Sequence, residues 1–449
     1  MTVPKSDCHF LGRKQGRRMG LNILVIGSGG REHALCWKIA QSPRCKKLYC
    51  APGNGGISQI AEIVNIKADD IDALLKFAKD KLIDLTVVGP EVPLVKGIVD
   101  LFSANKLKIF GPSKELARIE GSKIFAKELM RKFAVPTADF KVFEDAQDAL
   151  KYLDTVKAPV VIKADGLAAG KGVVVARDMS EAKDAVKKML LGGAFGEAGK
   201  RIIIEECLSG QEASIIVVSD GNNVVPLASS QDHKRVFDND VGPNTGGMGA
   251  YSPAPVVTKE LFKKIMDSVI YPIINGLSKE GTPYKGVLYA GIMVTDKGPM
   301  VLEFNARFGD PETQAILPRL KTDIVDIIQR SIDGALSGYT LDWDERPCVS
   351  VVITSGGYPE EFERGMEIEG LEEVKKMKDV IVFHAGTKLG KRASDRAETM
   401  LTNGGRVLNV TAMGADYKKA IENCYNAVSK INFEGMHYRR DIGARAVKN

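Results

Sequence analysis

The run Pro159–Arg177, PVVIKADGLAAGKGVVVAR, constrains this chain more than any other stretch. Val160, Val161 and Ile162 lead to Lys163, and Val173, Val174 and Val175 form a return run. Two short β-branched runs read as paired strands. Between them lie Gly166, Gly170 and Gly172, with Lys171 among them. Glycine has no Cβ and tolerates positive φ, so such a loop brings backbone N–H groups close to a ligand. With Lys163 and Lys171 beside it, the ligand chemistry indicated is a phosphate chain. A plain hairpin turn takes about two to five residues, and this connection is longer. A P-loop needs G-x-x-x-x-G-K-[ST] opening a helix. Here the spacing is one residue short, Gly172 stands at the hydroxyl position, and a strand follows. The remaining reading is a glycine loop in a hairpin, closing over a nucleotide as a lid does.

A chain of 449 residues exceeds one hydrophobic core and indicates about three domains. The net charge of +6 is spread along the sequence rather than gathered in arms. That suits small anionic substrates and gives no reason to expect nucleic acid. No apolar run approaches the ~18 residues of a membrane span. The seven cysteines (Cys8, Cys36, Cys45, Cys50, Cys207, Cys348 and Cys424) show no C-x-x-C spacing. Neither a metal cluster nor a disulfide framework is indicated, and a reducing compartment, the cytoplasm, is expected. Residues 1–20 are polar and basic and lack the apolar core of a secretory signal. They read as a disordered extension, a targeting remnant, or the product of a start upstream of Met19.

Asn22 to Ile26 reads as a strand, followed by Gly27-Ser28-Gly29-Gly30 and a helix from about Arg31 to Gln41. Strand, glycine turn, helix presents N–H groups and a helix dipole to an anion. A dinucleotide fingerprint would need glycine at Glu32 and a ribose-binding acid after the next strand. Both are missing, so a substrate phosphate is the better reading. Strands at Lys47 to Cys50, Leu82 to Val88 and Lys106 to Phe110 alternate with helices, which indicates a parallel sheet covered on both faces. Its ligands would sit at the carboxyl ends of strands, where Gly27–Gly30, Ala51–Gly56 and Gly89–Pro93 lie. A single helix is expected from about Ser113 to Phe133, carrying Lys123. Arg201 to Leu208 reads as a buried strand running into Glu205 and Glu206, and Ala213 to Ser219 with Asn223 to Ala228 as a hairpin turned at Asp220-Gly221. The stretch Ser230 to Tyr251 reads as a polar segment and a long functional loop.

In Pro299 to Arg307 the alternation of a strand places Glu303, Asn305 and Arg307 on one face and Leu302, Phe304 and Ala306 on the other. A carboxylate and an amide oxygen suit a hard cation such as Mg²⁺, which shares its ligands with substrate phosphates. Arginine beside them would neutralise anionic oxygens. An exposed edge strand with alternating polar residues is the plain alternative. Asp310-Pro311-Glu312 reads as a helix start, with Asp310 as N-cap. After Asp344 the composition changes to short strands and one helix, a separate α+β unit. Its polar clusters, His384 to Lys388, Asn403 to Arg406 and Arg439 to Asp441, are turns or cleft walls.

The order lysine helix (Lys123), strand lysine with glycine loop (Lys163 to Gly172), Ile-Glu-Glu hinge and Glu-x-Asn-x-Arg strand resembles the ATP-grasp ligases. Within them the chain is most similar to the phosphoribosylamine–glycine ligase (glycinamide ribonucleotide synthetase) family. The resemblance rests on IGSGGREHAL, APGN, VGPEVPLVKGIVD, IEGSK, IKADGLAAGKGVVVA, SQDHKRV, GPNTGGMGAYSPAPV, EFNARFGDPETQ, FHAGTK and TNGGRVL, in family order from about Leu21 to the end.

It implies a Rossmann-like amino-terminal domain over 21–121, an ATP-grasp domain over 122–336 with a lid at about 137–207, and a small α+β domain over 345–449. It implies ATP and Mg²⁺ or Mn²⁺, with glycine and 5-phosphoribosylamine as substrates, and a monomer is expected. ATP is expected at Lys123, Lys163, Gly166, Gly170, Lys171, Gly172, Glu205, Glu206, Leu208 and Glu212, with adenine at the hinge and ribose on Glu212. Glu303 and Asn305 are the implied metal ligands, and Arg307, Lys234 and Asp232 the catalytic set. Gly27, Gly29, Gly30, Asn54, Gly246 and Gly247 are the implied substrate contacts. Many ATP-grasp enzymes carry an acid on the strand before the metal strand; Lys285 to Val294 has none. A nicotinamide oxidoreductase and a non-catalytic nucleotide sensor are the rival classes. The incomplete fingerprint opposes the first, and Arg307 beside Glu303 and Asn305 opposes the second.

Overall fold

The computed structural model describes residues 20–167, 172–192, 196–392 and 396–448. Gly170, Lys171 and the basic extension at 1–19 lie outside the described residues. Three layers of structure meet around one cleft. A parallel sheet comes first, ordered Glu62–Ile63, Cys45–Pro52, Leu21–Gly27, Leu85–Val88 and Ile109–Phe110. Its inner strands carry apolar runs, Ile23–Ile26, Leu48–Ala51 and Leu85–Val88 (with Thr86), that are buried on both faces, as helix-covered parallel sheets require. The second layer is antiparallel, ordered Val224–Pro226, Gln211–Asp220, Lys285–Thr295 and Gly298–Asn305. The two sheets share cores: Leu24 and Ile26 pack in one cluster with Ile215, Leu288 and Ile292.

The glycine-loop run forms the expected hairpin, Val160–Ala164 paired antiparallel with Val173–Ala176. Ile202–Glu206 and Phe140–Phe143 complete a four-stranded sheet. Its core, from Ala149 to Ile204, is separate from those of the other layers. This small unit meets the body through hydrogen bonds of Ser122 with Asp165, Lys123 with the Gly166 carbonyl and Lys163 with the Leu302 carbonyl.

Four expectations are corrected. The helix expected over 113–133 is two, Lys114–Gly121 and Lys123–Lys132. Ser122 leaves the helical region at φ −140 and ψ 115 and caps the second helix, its Oγ accepting from the Phe125 N–H at 3.1 Å. Ser122 Oγ also donates to Asp165 Oδ1 at 2.9 Å, which ties the break to the lid. The loop expected over 230–251 holds short strands, of which Gln231–Asp232 and Gly249–Ser252 join the carboxy-terminal sheet. That sheet runs Gln231–Asp232, Gly249–Ser252, Cys348–Thr354, Arg406–Met413, Val380–His384, so the carboxy-terminal unit is not separate in its sheet. The helix after Pro311 begins at Glu312 with no side-chain cap. Asp310 instead accepts from Gln314 Nε2 at 2.8 Å and pairs with Arg406 at 3.1 Å.

Candidate active site

A cavity of about 1020 Å³ runs between the lid, the antiparallel sheet and the carboxyl ends of the parallel strands. One end is apolar, walled by Val161, Val173 and Val175 from the lid and Leu302 from the body. Leu302 does not face away, as strict alternation predicts. Pairing skips from Val301↔Ile292 to Glu303↔Gly291, so Leu302 is an extra residue in a bulge. The bulge turns Leu302, Glu303 and Asn305 all toward the cleft. Cys207 and Leu208 also line the cavity, and the Leu208 N–H has no hydrogen-bond partner among the described residues.

Glu205 is the hinge residue whose side chain departs from expectation. It is buried, and its carboxylate pairs with Lys127 at 2.5 Å and with Lys163. Lys163 also donates to the Leu302 carbonyl at 3.2 Å, and Lys123 donates to the Gly166 carbonyl at 2.9 Å. Three lysines therefore converge on one wall. Burial pushes Lys123 and Lys127 down from the ordinary ammonium range. The sequence signal for Lys127 is its position one turn after Lys123, on the same helix face.

In the middle of the cleft Lys234 pairs with Glu212 at 2.9 Å and Glu303 at 3.7 Å. Burial opposes the Lys234 charge, but Glu212 and Glu303 hold its ammonium well above the usual range. Burial likewise opposes the Glu303 charge, and Lys234, Lys163 and Lys123 pull its carboxyl below the usual range. Glu303 is therefore a carboxylate, and the Asn305 side chain beside it makes no hydrogen bond to the described residues. No group of three His, Cys, Asp or Glu placed to hold a metal ion is found among the described residues. Two oxygen donors facing a cleft fit a hard cation that completes its shell on phosphate oxygens and water. Asp232 lies close by, its carboxyl raised by burial and by Glu312.

At the far end Arg307 is gripped from two sides. Its Nε contacts Glu91 Oε2 at 2.9 Å, its Nη2 contacts Glu120 Oε1 at 2.8 Å, and its Nη1 donates to the Phe308 carbonyl at 3.1 Å. Burial opposes its charge, and Glu120 and Glu91 more than compensate. Arg31, Asp310 and Arg406 close this end.

Of the residues singled out from the sequence, the cavity gathers Lys123, Lys163, Gly166, Gly172, Glu205, Glu206, Leu208, Glu212, Asp232, Lys234, Gly246, Glu303, Asn305 and Arg307. Gly27, Gly29, Gly30, Asn54 and Gly247 do not line it. Glu32 folds back over the glycine turn, and its Oε2 accepts the Gly29 N–H at 2.6 Å. The chain's own Glu32 carboxylate thus takes one N–H of the turn expected to receive a phosphate. Asn54 is also used internally: its amide donates to the Ser28 and His384 carbonyls at 2.8 Å each, and its oxygen accepts from the Gly56 and Ile57 N–H groups. His384 packs against His33 in the interior rather than on the cleft.

A cleft between a four-stranded lid and an antiparallel sheet, with lysines on one side and an oxygen pair on the other, defines an ATP-grasp enzyme. Family models agree along the chain: Phosphoribosylglycinamide synthetase, N domain, matches residues 21–120, its ATP-grasp (A) domain 121–313 and its C domain 348–445. The chain belongs to the phosphoribosylglycinamide synthetase family. It is 51% identical to a phosphoribosylamine–glycine ligase of Caldanaerobacter subterraneus over 424 residues, 94% of this chain and 100% of that one. It is 52% identical to the Haemophilus influenzae enzyme of that name over 431 residues, 95% and 99% of the two chains. The crystal structure of a Thermotoga maritima phosphoribosylamine–glycine ligase superposes with a TM-score of 0.80 at 32% identity, over 94% of this chain and 100% of that one. A Campylobacter jejuni biotin carboxylase, at 17% identity and a TM-score of 0.69 over 96% of each chain, shares the fold.

Proposed function

We propose that the chain joins glycine to 5-phosphoribosylamine at the expense of ATP, giving glycinamide ribonucleotide, ADP and phosphate in purine biosynthesis. In the first step a glycine carboxylate oxygen attacks the γ-phosphorus and ADP leaves. In the second the amine nitrogen attacks the acyl carbon, phosphate leaves and a proton is released. The carrying observation is the line of charged and polar side chains along one cleft, from Lys123 and Lys163 through Glu303 and Asn305 to Lys234 and Arg307. It lies in a chain matched almost end to end by ligases of that name.

Adenine would lie between Val161, Val173, Val175 and Leu302, with its edge on the hinge backbone. Lys163 and Lys123 would hold phosphates under the glycine loop, with Glu212 at the ribose. Glu303 and Asn305 would hold Mg²⁺ or Mn²⁺, which neutralises phosphate oxygens when bound. Arg307 and Lys234 place fixed positive charge where the acyl phosphate and tetrahedral intermediate develop negative charge. Asp232, with its raised carboxyl, stands beside that centre as the third member of the catalytic set. The cleft is completed within one chain, which supports a monomer, and the described cysteines are free thiols, which supports the cytoplasm.

The test measures ADP release with glycine and freshly made phosphoribosylamine, omitting each in turn. Release that requires glycine supports the reading, and release indifferent to both substrates defeats it. Release requiring a different acid or amine would assign the chain to another ligation of the same class.

A further inference from the structure

Arg307 stands two residues beyond the end of its strand, where no ladder hydrogen bond fixes it. What fixes it is a pair of carboxylates from two different elements. Glu120 belongs to the Lys114–Gly121 helix and is nearly inaccessible, its side chain 6% exposed. Its Oε1 takes Arg307 Nη2 at 2.8 Å while its Oε2 accepts the Ala306 N–H at 2.8 Å. One carboxylate thus holds both the guanidinium and the backbone that carries it. Burial raises the Glu120 carboxyl, and Glu91 nearby raises it further against the pull of Arg307.

Glu91 comes from elsewhere. It opens the Glu91–Lys96 helix, directly after the turn Gly89-Pro90 that ends the Leu85–Val88 strand of the parallel sheet. Its Oε2 takes Arg307 Nε at 2.9 Å, and its side chain lines the cavity. The turn itself is closely packed: a Cβ at Gly89 would collide with the Glu32 carboxylate. The guanidinium at the reaction centre therefore takes its aim from the amino-terminal sheet, across an interface that belongs to no single layer.

We propose that Glu91 and Glu120 are positioning residues for Arg307, and that Glu91 makes acyl-phosphate formation depend on where the Gly89-Pro90-Glu91 turn is held. Two of the five guanidinium N–H donors stay free of the contacts named here, so the clamp leaves Arg307 able to meet an anionic oxygen. A bidentate or fork geometry is lost once either anchor is removed, and a displacement of about 1 Å at a reacting group costs about 10²-fold in rate. The inference rests on the reaction proposed above.

The experiment is a double-mutant cycle on the full chain with Glu91→Gln, Arg307→Lys and the two combined. It follows ADP release at saturating ATP, glycine and phosphoribosylamine, with nucleotide affinity measured separately by a fluorescent ATP analogue. Glu91→Gln is expected to lower kcat by about 10²-fold with nucleotide affinity unchanged. The combined variant should be about as slow as Arg307→Lys alone, because the lost aim has nothing left to act on. Glu91→Asp, which keeps the charge on a shorter stem, should recover part of the rate. Multiplicative losses, or a Glu91→Gln variant that loses nucleotide affinity at unchanged kcat, would overturn the proposal. A wild-type chain that releases no ADP with glycine would instead overturn the proposed reaction, so the two failures are distinguishable. Glu120→Gln adds a second reading only if its thermal midpoint stays near wild type, since that carboxylate is buried; Glu91, partly exposed at 29%, carries the test without it.

Discussion

The glycine loop after Ala164 and the glycine turn after Ile26 obey the same backbone logic and hold different things. Each follows a buried strand rich in apolar β-branched residues, and in each the sequence sets glycines that let backbone come close to a neighbour. Around the first, the sequence supplies Lys123, Lys127 and Lys163, and the structure turns them toward a cleft walled by valines. Around the second it supplies Glu32, whose carboxylate sits 2.6 Å from the Gly29 nitrogen and accepts that N–H. Glycine spacing reports that backbone can come close to something. The charge within reach decides what that something is.

The comparison breaks most visibly if the lid lysine is removed. Lys163→Met should lower turnover by about 10²–10³-fold, since fixed charge facing a developing anion is worth that much in a water-poor cleft. Glu205 keeps its contact with Lys127 in this variant, so the fold should survive. ADP release and a melting curve check the two halves of the expectation. Turnover within about threefold of wild type would show that the glycine loop binds phosphate without Lys163.

The second effect belongs to the amino-terminal side and is read through pH. His33 is buried, its pKa lowered to about 3 first by desolvation and then by His384. His384 is lowered to about 4 by desolvation alone. Geometry agrees, since the His384 N–H donates to His33 Nδ1 at 2.8 Å, an acceptor only when unprotonated. Folded-state values below the ordinary 6.5 mean that the unfolded chain takes up protons first. Stability is therefore complete above about pH 6.5 and falls as pH drops toward 4, by about 1.4 kcal/mol per unit for each histidine. His233, lowered to about 4 mainly by burial, adds to the slope. Urea midpoints between pH 7 and 5 measure the whole, and His384→Gln should remove part of it. A midpoint flat across that range would mean these rings reach water.

The legible parts of this molecule were those in which one element carries its own chemistry. The Val160–Ala164 hairpin, the strand with Glu303 and Asn305, and the alternation of the parallel sheet all announce themselves by local period and residue type. What stayed hidden depends on partners far away in the chain. Glu91 and Glu120 grip Arg307 across 216 residues in one case, and no local pattern encodes such a pairing. Leu302 faces the cleft because a bulge shifts the register, and the shift is set by the neighbouring strand at Gly291. The strands at Gln231–Asp232 and Gly249–Ser252 look like loop because each is too short to show a period. Ser122 is the exception, because its signal is local: a serine before Lys123 with its hydroxyl at the Phe125 N–H is an ordinary helix cap.

The smallest expected effect sharpens the contrast most, because it asks whether the glycine turn still excludes a phosphate without the carboxylate's charge. Glu32→Gln keeps the shape of the side chain and one oxygen to accept from the Gly29 N–H, but it removes the charge at the helix N-terminus and the contact with Arg31. The loss in stability should be about 1 kcal/mol, since a neutral cap retains most of the hydrogen bond and forfeits the charge–dipole part. Turnover with ATP and glycine should change little, because Glu32 does not line the cavity. Urea unfolding measures the first quantity, and the KM for phosphoribosylamine measures what the comparison turns on. An unchanged KM leaves the turn as packing held by its own anion. A KM that falls on removing the charge would mean that the substrate phosphate does reach the Gly27–Gly30 turn and competes with Glu32 for it, and the two glycine-rich turns would then differ in occupancy rather than in kind.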